Sequence, residues 1–206
     1  MTVRRILVAT RNPGKLAELR PMLARVGMEA IDLDEAGVAE LPEEEDIERF
    51  ETFEENALAK ARYFAERSGG LPVLAEDSGL AVEALGGRPG VRTKRWSGRM
   101  DLRGRALDEA NNAALLAALD GALDRRARYV CVAAFVRGGE MHAARGETSG
   151  RILYSPRGHG GFGYDPLFES TELGVTFAEA SAEEKARVSH RGRAVRALLA
   201  QFCRAG

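Results

Sequence analysis

Hydrophobic positions recur along this chain with two periods, short strand-like runs and longer stripes at helical spacing. Ile6, Leu7, Val8 and Ala9 read as a short buried strand. A polar loop follows, and then Leu16, Leu19, Leu23 and Val26 recur at helical spacing. The chain therefore opens as strand, loop and helix. Residues 32–51 are acidic with little periodicity and read as a mostly exposed connection. Thr52-Phe53-Glu54-Glu55 has capping-box spacing, which predicts a helix through Arg67 that Gly69 and Gly70 close. Leu71, Val73 and Leu74 read as a buried strand that stops at Ala75-Glu76-Asp77-Ser78-Gly79-Leu80, which places both carboxylates at a strand end. Successive strand residues face opposite ways, so the two acids are expected to do different jobs.

Downstream, residues 80–85 lead into the turn Gly86-Gly87-Arg88-Pro89-Gly90. Residues 102–119 predict a helix whose Ala106, Ala110, Ala113, Ala114 and Ala117 allow close packing. Residues 129–136 and 141–145 predict a hairpin across Gly138-Gly139, and residues 151–154 another short strand. Ser181-Ala182-Glu183-Glu184 repeats the capping-box spacing and opens a last helix toward Phe202. Hairpins and helical crossovers together predict an α/β fold with a mixed sheet. No repeat, low-complexity tract or linker divides the chain. Its 206 residues, 45% of them hydrophobic, suit one sizeable core, hence a single domain over residues 1–206 with two lobes.

Composition narrows the function. Lys and Arg number 30 against 31 Asp and Glu, a formal charge of −1, so no global basic field recruits nucleic acid and any phosphate must be met locally. Cys131 and Cys203 are too few and too separated for a zinc motif or a disulfide framework, which fits a reducing compartment. The segment from Met1 to Ala9 has two arginines and an apolar run of four residues, far short of a signal sequence or a membrane span. A soluble cytoplasmic protein without membrane contact is expected.

Five segments carry candidate chemistry. Thr10, Arg11, Asn12, Pro13, Gly14 and Lys15 supply a hydroxyl, an amide, a flexible glycine and a lysine at a helix N-terminus, the parts of a phosphate cradle that is neither a P-loop nor a dinucleotide fingerprint. Glu76 and Asp77 can hold a metal, activate water or orient it. Gly158-His159-Gly160-Gly161-Phe162-Gly163-Tyr164-Asp165-Pro166 sets Phe162 between glycines with a ring face open to a stacked base. Lys185 and Ser189-His190-Arg191-Gly192 bring cationic donors to the last helix, where Lys185 and Ser189 share a face and Gly192 implies a need for space. Arg92, Lys94, Arg95 and Arg99 around Trp96-Ser97-Gly98 serve either a triphosphate or a lobe edge.

In this order the segments closely resemble the inosine triphosphate pyrophosphatase family, the house-cleaning hydrolases of non-canonical purine nucleoside triphosphates. The likeness runs from Ile6 to about Leu199. It rests on Thr10-x-Asn12-x-x-Lys15, Thr52-Phe53-x-Glu55-Asn56-Ala57, Glu76-Asp77-Ser78-Gly79-Leu80, Leu85-Gly86-Gly87-x-Pro89-Gly90, Gly161-Phe162-Gly163-Tyr164-Asp165-Pro166 and Ser189-His190-Arg191-Gly192. The resemblance implies Mg²⁺-dependent cleavage of ITP, dITP and XTP to the monophosphate and pyrophosphate. It also implies a homodimer, and a long mixed sheet flooring a cleft between two lobes with flanking helices.

Carried over by position, Thr10 to Lys15 bind phosphate, and Asp77 holds metal and accepts the proton of water. Glu76 orients water or holds a second metal. Ser78, Phe162, Gly163, Tyr164, Asp165, Lys185, His190 and Arg191 bind substrate, Arg191 as a donor to a 6-oxo purine. Ahead of Thr52-Phe53, where many bacterial members read Glu-Glu-Thr-Gly-x, this chain has Ile47-Glu48-Arg49-Phe50-Glu51. Glu48 matches only the second glutamate of that pattern and is taken as the second metal ligand, with Glu43, Glu44, Glu45 and Glu55 as alternatives. Two competing readings are a pyrophosphatase for modified pyrimidine or methylated nucleotides and a nucleotide sensor without turnover. Intact Glu76 and Asp77 count against the sensor.

Overall fold

The computed structural model describes residues 4–203, the side chains of Phe202 and Cys203 apart. Met1 and the Cys203 thiol, both weighed above, lie outside the described residues. Six strands form one mixed sheet in the order β2-β1-β3-β4-β5-β6. The strands are β1 (Arg4–Val8), β2 (Met28–Ile31), β3 (Val73–Val82), β4 (Arg126–Arg137), β5 (Glu140–Ile152) and β6 (Phe168–Ser170). Strand β1 runs parallel to β2 and β3, whereas β5 and β6 are antiparallel. The helices are α1 (Pro13–Ala24), α2 (Phe53–Ala65), α3 (Gly104–Ala118), α4 (Ala182–Val188) and α5 (His190–Cys203). No helix among the described residues is long and apolar enough to cross a membrane.

The chain clusters into two compact units. Of the described residues, the first holds 4–77, 131–146 and 191–203, and the second 78–130 and 147–190. Ile6, Val8, Leu19, Leu23, Leu74, Ala133, Phe135, Val195 and Leu198 build the core of the first. Leu80, Val82, Leu115, Leu119, Tyr129, Ile152, Tyr164, Phe168 and Phe177 build that of the second.

Four expectations change. Strand β3 does not end before the acidic pair but continues through it to Val82, all ten residues buried. The run of apolar residues breaks at Glu76 because those two positions bury charge, which a strand tolerates where partners compensate it. The predicted last helix is two helices: Ser189, extended at φ −66° and ψ 152°, ends α4 ahead of α5. A serine suits such a junction because its side chain competes with helical hydrogen bonding. The buried Thr148 hydroxyl donates to the Val188 carbonyl at 2.6 Å, satisfying an end-of-helix acceptor. Residues 151–154 are not a separate strand, since β5 runs unbroken to Ile152. Strands β2 and β6, four and three residues long, escape notice because they are too short to display a period.

Candidate active site

In the first unit, local capping builds the loop after β1. The Asn12 side chain caps α1, accepting from the Gly14 amide at 2.8 Å and the Lys15 amide at 3.2 Å, with Pro13 in the first turn where its missing N–H costs nothing. The Thr10 hydroxyl accepts from the Asn12 amide at 3.1 Å. The Ala9 amide donates to the Leu74 carbonyl at 2.8 Å, so the loop leaves the sheet level with the acidic pair. Since Asn12 takes two of the amides expected to face an anion, the cation this loop presents is the Lys15 ammonium. It lies 2.8 Å from Glu76 Oε1. Arg11 turns the other way, donating to Glu44, Asp34 and the Val38 carbonyl.

Opposite facing along β3 gives the two acids separate surroundings, as expected. Glu76 is enclosed by cations: Lys15, Arg191 at 3.4 Å, and Lys60, whose ammonium donates to the Glu76 carbonyl at 3.1 Å. Arg191 also pairs with Glu18, and the Cys131 thiol donates to Glu76 at 3.3 Å. Burial pushes the Glu76 carboxyl up, but the charges of Arg191, Lys15 and Lys60 overcome it and hold Glu76 well below the carboxylate range. Burial and the same carboxylate push the Cys131 thiol well above its ordinary value, so it stays protonated.

Asp77 is different. Burial, then the charge of Glu48, raise it to about 6, against the opposing pull of Lys15 and Lys60. Asn56 of α2 donates to Asp77 Oδ2 at 3.0 Å, while its other groups bond the Phe50 amide at 2.9 Å and the Phe50 carbonyl at 3.1 Å. One buried amide thus ties Asp77 to the acidic loop. Glu48 pairs with Lys60, whose charge, with that of Lys15, keeps Glu48 low against the pull of partial desolvation. Of the alternatives, Glu44 binds Arg11, Glu43 accepts from Tyr63 and Arg67, and Glu55 accepts from the Thr52 hydroxyl. Among these glutamates Glu48 is the one whose charge acts most strongly on Asp77. Asn56, which stands in the Thr52-Phe53-x-Glu55-Asn56-Ala57 motif without a role assigned to it, lies one turn before Lys60 on α2; Lys60, and Glu18 one turn beyond Lys15 on α1, do not show in the sequence. A signal existed, because Asn56 is a polar residue on the stripe formed by Phe53, Ala57, Ala61 and Phe64.

In the second unit, the glycine-rich segment folds into a turn around Asp165. The Phe162 amide donates to Asp165 Oδ2 at 2.8 Å, and the Lys185 ammonium bonds the same oxygen. Gly161 is required, since a Cβ there would sit 2.1 Å from Asp165 Oδ2. Lys185 lies 5.1 Å from the Phe162 ring centroid and 5.4 Å from that of Phe177. Tyr164 is a core residue whose hydroxyl donates to the Thr93 carbonyl at 2.8 Å. His190 stacks on Tyr129, with centroids 4.5 Å apart and planes at 8°. Ser78 is buried in β3 next to Asp77. In the basic stretch, Arg99 pairs with Asp101.

The first unit therefore brings together Lys15, Glu48, Glu76, Asp77 and Arg191, and the second Phe162, Gly163, Tyr164, Asp165 and Lys185. The helix break at Ser189 separates Lys185 from Arg191, whose guanidinium meets carboxylates of the first unit. Fold and site define an α/β protein with a buried lysine-carboxylate centre and an aromatic platform made by a glycine-rich turn. Residues 6–201 match the Ham1 family, and the chain belongs to it. The chain is 47% identical over 200 residues to the dITP/XTP pyrophosphatase of Ralstonia nicotianae, covering 96% of each. It is also 47% identical over 202 residues to a dITP/XTP pyrophosphatase of Thermus thermophilus, covering 96% of this chain and 91% of the relative. The structure of a HAM1 protein from Coxiella burnetii superposes with a TM-score of 0.81 at 35% identity, covering 98% of this chain and all of the other.

Proposed function

We propose that this chain hydrolyses non-canonical purine nucleoside triphosphates, dITP, ITP and XTP, to the monophosphate and pyrophosphate. The observation that carries the reading is the pairing of two half-buried lysines, Lys15 and Lys60, with Glu76 and Glu48, beside Asp77, whose carboxyl the fold raises to about 6. Near-complete matches to proteins named dITP/XTP pyrophosphatase support it. A triphosphate carries about four negative charges, so catalysis rests on positioning and on preorganised positive charge. Lys15 and Lys60 supply that charge. Asp77 is ionised at neutral pH yet retains more proton affinity than an ordinary carboxylate, which suits it to accept the proton of attacking water. Glu76, already balanced by its three cations, acts through Lys15 and Arg191 as their anchor.

Asp77 and Glu48 would hold Mg²⁺. The donor set fits, because their mutual repulsion is relieved by a divalent cation, and Mg²⁺ commonly takes one or two protein carboxylates with water and phosphate oxygens. When bound, the ion neutralises charge developing on the phosphates.

In the second unit, Phe162 offers a face on which a purine stacks, beside Lys185 and Asp165. Hypoxanthine and xanthine present a 6-oxo acceptor where adenine presents an amino donor, so a site provided with donors leaves them unpaired against ATP. The reading includes a homodimer working in the cytoplasm. The test is kcat/KM for dITP, ITP, XTP, GTP, ATP and a panel of modified pyrimidine and methylated nucleotides. We expect dITP, ITP and XTP to lead by orders of magnitude. Equal turnover of ATP, or preference for a modified pyrimidine, would overturn the assignment.

A further inference from the structure

Gly163 lies outside every strand and helix, yet both of its backbone polar groups are bonded, and both partners come from α3. Asp108 accepts from the Gly163 amide at 2.8 Å, and Asn112 Nδ2 donates to the Gly163 carbonyl at 3.0 Å. Asp108 and Asn112 stand four residues apart, hence on one helix face, which is why two side chains reach a single residue. Buried backbone groups need partners, and a glycine-rich loop without a ladder must find them elsewhere.

Gly161 and Gly163 both have positive φ, at 71° and 63°, on either side of Phe162. Glycine in that region gives up more conformational freedom on ordering than any other residue, so Phe162 is borne by two joints of the most mobile kind. The N-terminal joint is held by Asp165, through the Phe162 amide, and the residue after Gly163 by the Tyr164 hydroxyl on the Thr93 carbonyl. The joint at Gly163 is held by α3. The neighbouring Asn111 faces another segment, accepting from the Ser97 amide at 2.9 Å and donating to the Lys94 carbonyl at 3.1 Å. The two asparagines are therefore not interchangeable anchors.

We propose that Asp108 and Asn112 are positioning residues that clamp the Gly163 backbone, fix the orientation of the Phe162 ring and so set base selectivity without touching the base. This rests on the reading that Phe162 stacks on the purine. Loss of the clamp lets the platform turn, which weakens the stacked complex and the registration of the purine edge that distinguishes dITP from dATP. The phosphate end of the substrate is unaffected.

The test compares wild type, Asp108→Ala, Asn112→Leu, Asp108→Asn and Phe162→Ala on dITP, dATP and the base-free deoxyribose 5′-triphosphate, with thermal melts to establish folding. Asp108→Ala and Asn112→Leu are expected to raise KM for dITP and lower the dITP:dATP ratio of kcat/KM by about tenfold, the scale of one lost hydrogen bond. Their kcat/KM for the base-free triphosphate should match wild type. Asp108→Asn keeps an acceptor for the Gly163 amide and should restore selectivity. The proposal is overturned if Phe162→Ala collapses the ratio while the clamp variants do not, or if they lose dITP and base-free turnover equally. Were Phe162→Ala itself to leave the ratio unchanged, the stacking reading would fail and the proposal with it.

Discussion

Replacing Asp77 by asparagine should make the metal-free protein more stable at neutral pH while abolishing hydrolysis. The carboxyl has an ordinary value of 3.8 and is raised in the fold to about 6, first by burial and then by Glu48. At about 1.4 kcal/mol per pH unit, holding Asp77 ionised costs the folded state about 3 kcal/mol. The sign follows from linkage. A carboxyl raised in the fold binds its proton more tightly folded than unfolded, so the penalty is absent below pH 3.8 and fully present above about pH 6. The substituted amide would carry no charge and could still accept from Asn56, which donates to Asp77 at 3.0 Å. Urea unfolding of both proteins in excess chelator, over a pH series spanning the ordinary and the raised values, gives the difference in unfolding free energy. It should grow in the variant's favour through that interval and level off above about pH 6. Added Mg²⁺ should then stabilise the wild type and leave the variant unmoved. A pH-independent difference, or a variant less stable at neutral pH, would refute the claim that Asp77 holds a charge the fold itself disfavours.

Other outcomes follow from single contacts. Lys60→Met leaves Glu48 without its ion pair. Because the Glu48 side chain is 34% exposed, the expected loss is about 1–3 kcal/mol by chemical denaturation, with a large fall in kcat/KM for every triphosphate alike. Phe162→Ala should raise KM for dITP by the worth of one stacked base, about 1–3 kcal/mol, and an unchanged KM would exclude stacking there. Thr148→Val removes the hydroxyl that donates to the Val188 carbonyl at 2.6 Å, and should cost about 1–3 kcal/mol of stability. Its kcat should stay at the wild-type level, which separates loss of stability from loss of chemistry.

Much of this was legible in the residues. The caps at Thr52 and Ser181 mark helix starts because each satisfies backbone donors locally, a rule that needs no knowledge of the rest of the chain. The glycines around Phe162 announced a turn for a similar reason. What escaped depended on distant partners. Glu76 and Asp77 looked like a strand end because charge normally stops a buried strand, and only Lys15, Lys60 and Arg191, far apart in sequence, make the interior position tolerable. Lys185 and Ser189 share a helical face by spacing, but Ser189 breaks that helix. The roles of Asn56 and Lys60 do not show in helical sequence, since a polar residue on a buried stripe reveals its purpose only through what it meets. The ion pairs of Arg191 with Glu18 and Glu76, carboxylates from α1 and β3, follow from no local pattern.

The central claim is that this lysine-carboxylate centre cleaves a purine triphosphate between its α and β phosphates. Phosphorus NMR of a reaction with dITP and Mg²⁺ reads the cleavage point directly. The account predicts dIMP and pyrophosphate as the products, absent with Asp77→Asn. Appearance of dIDP with orthophosphate would contradict it.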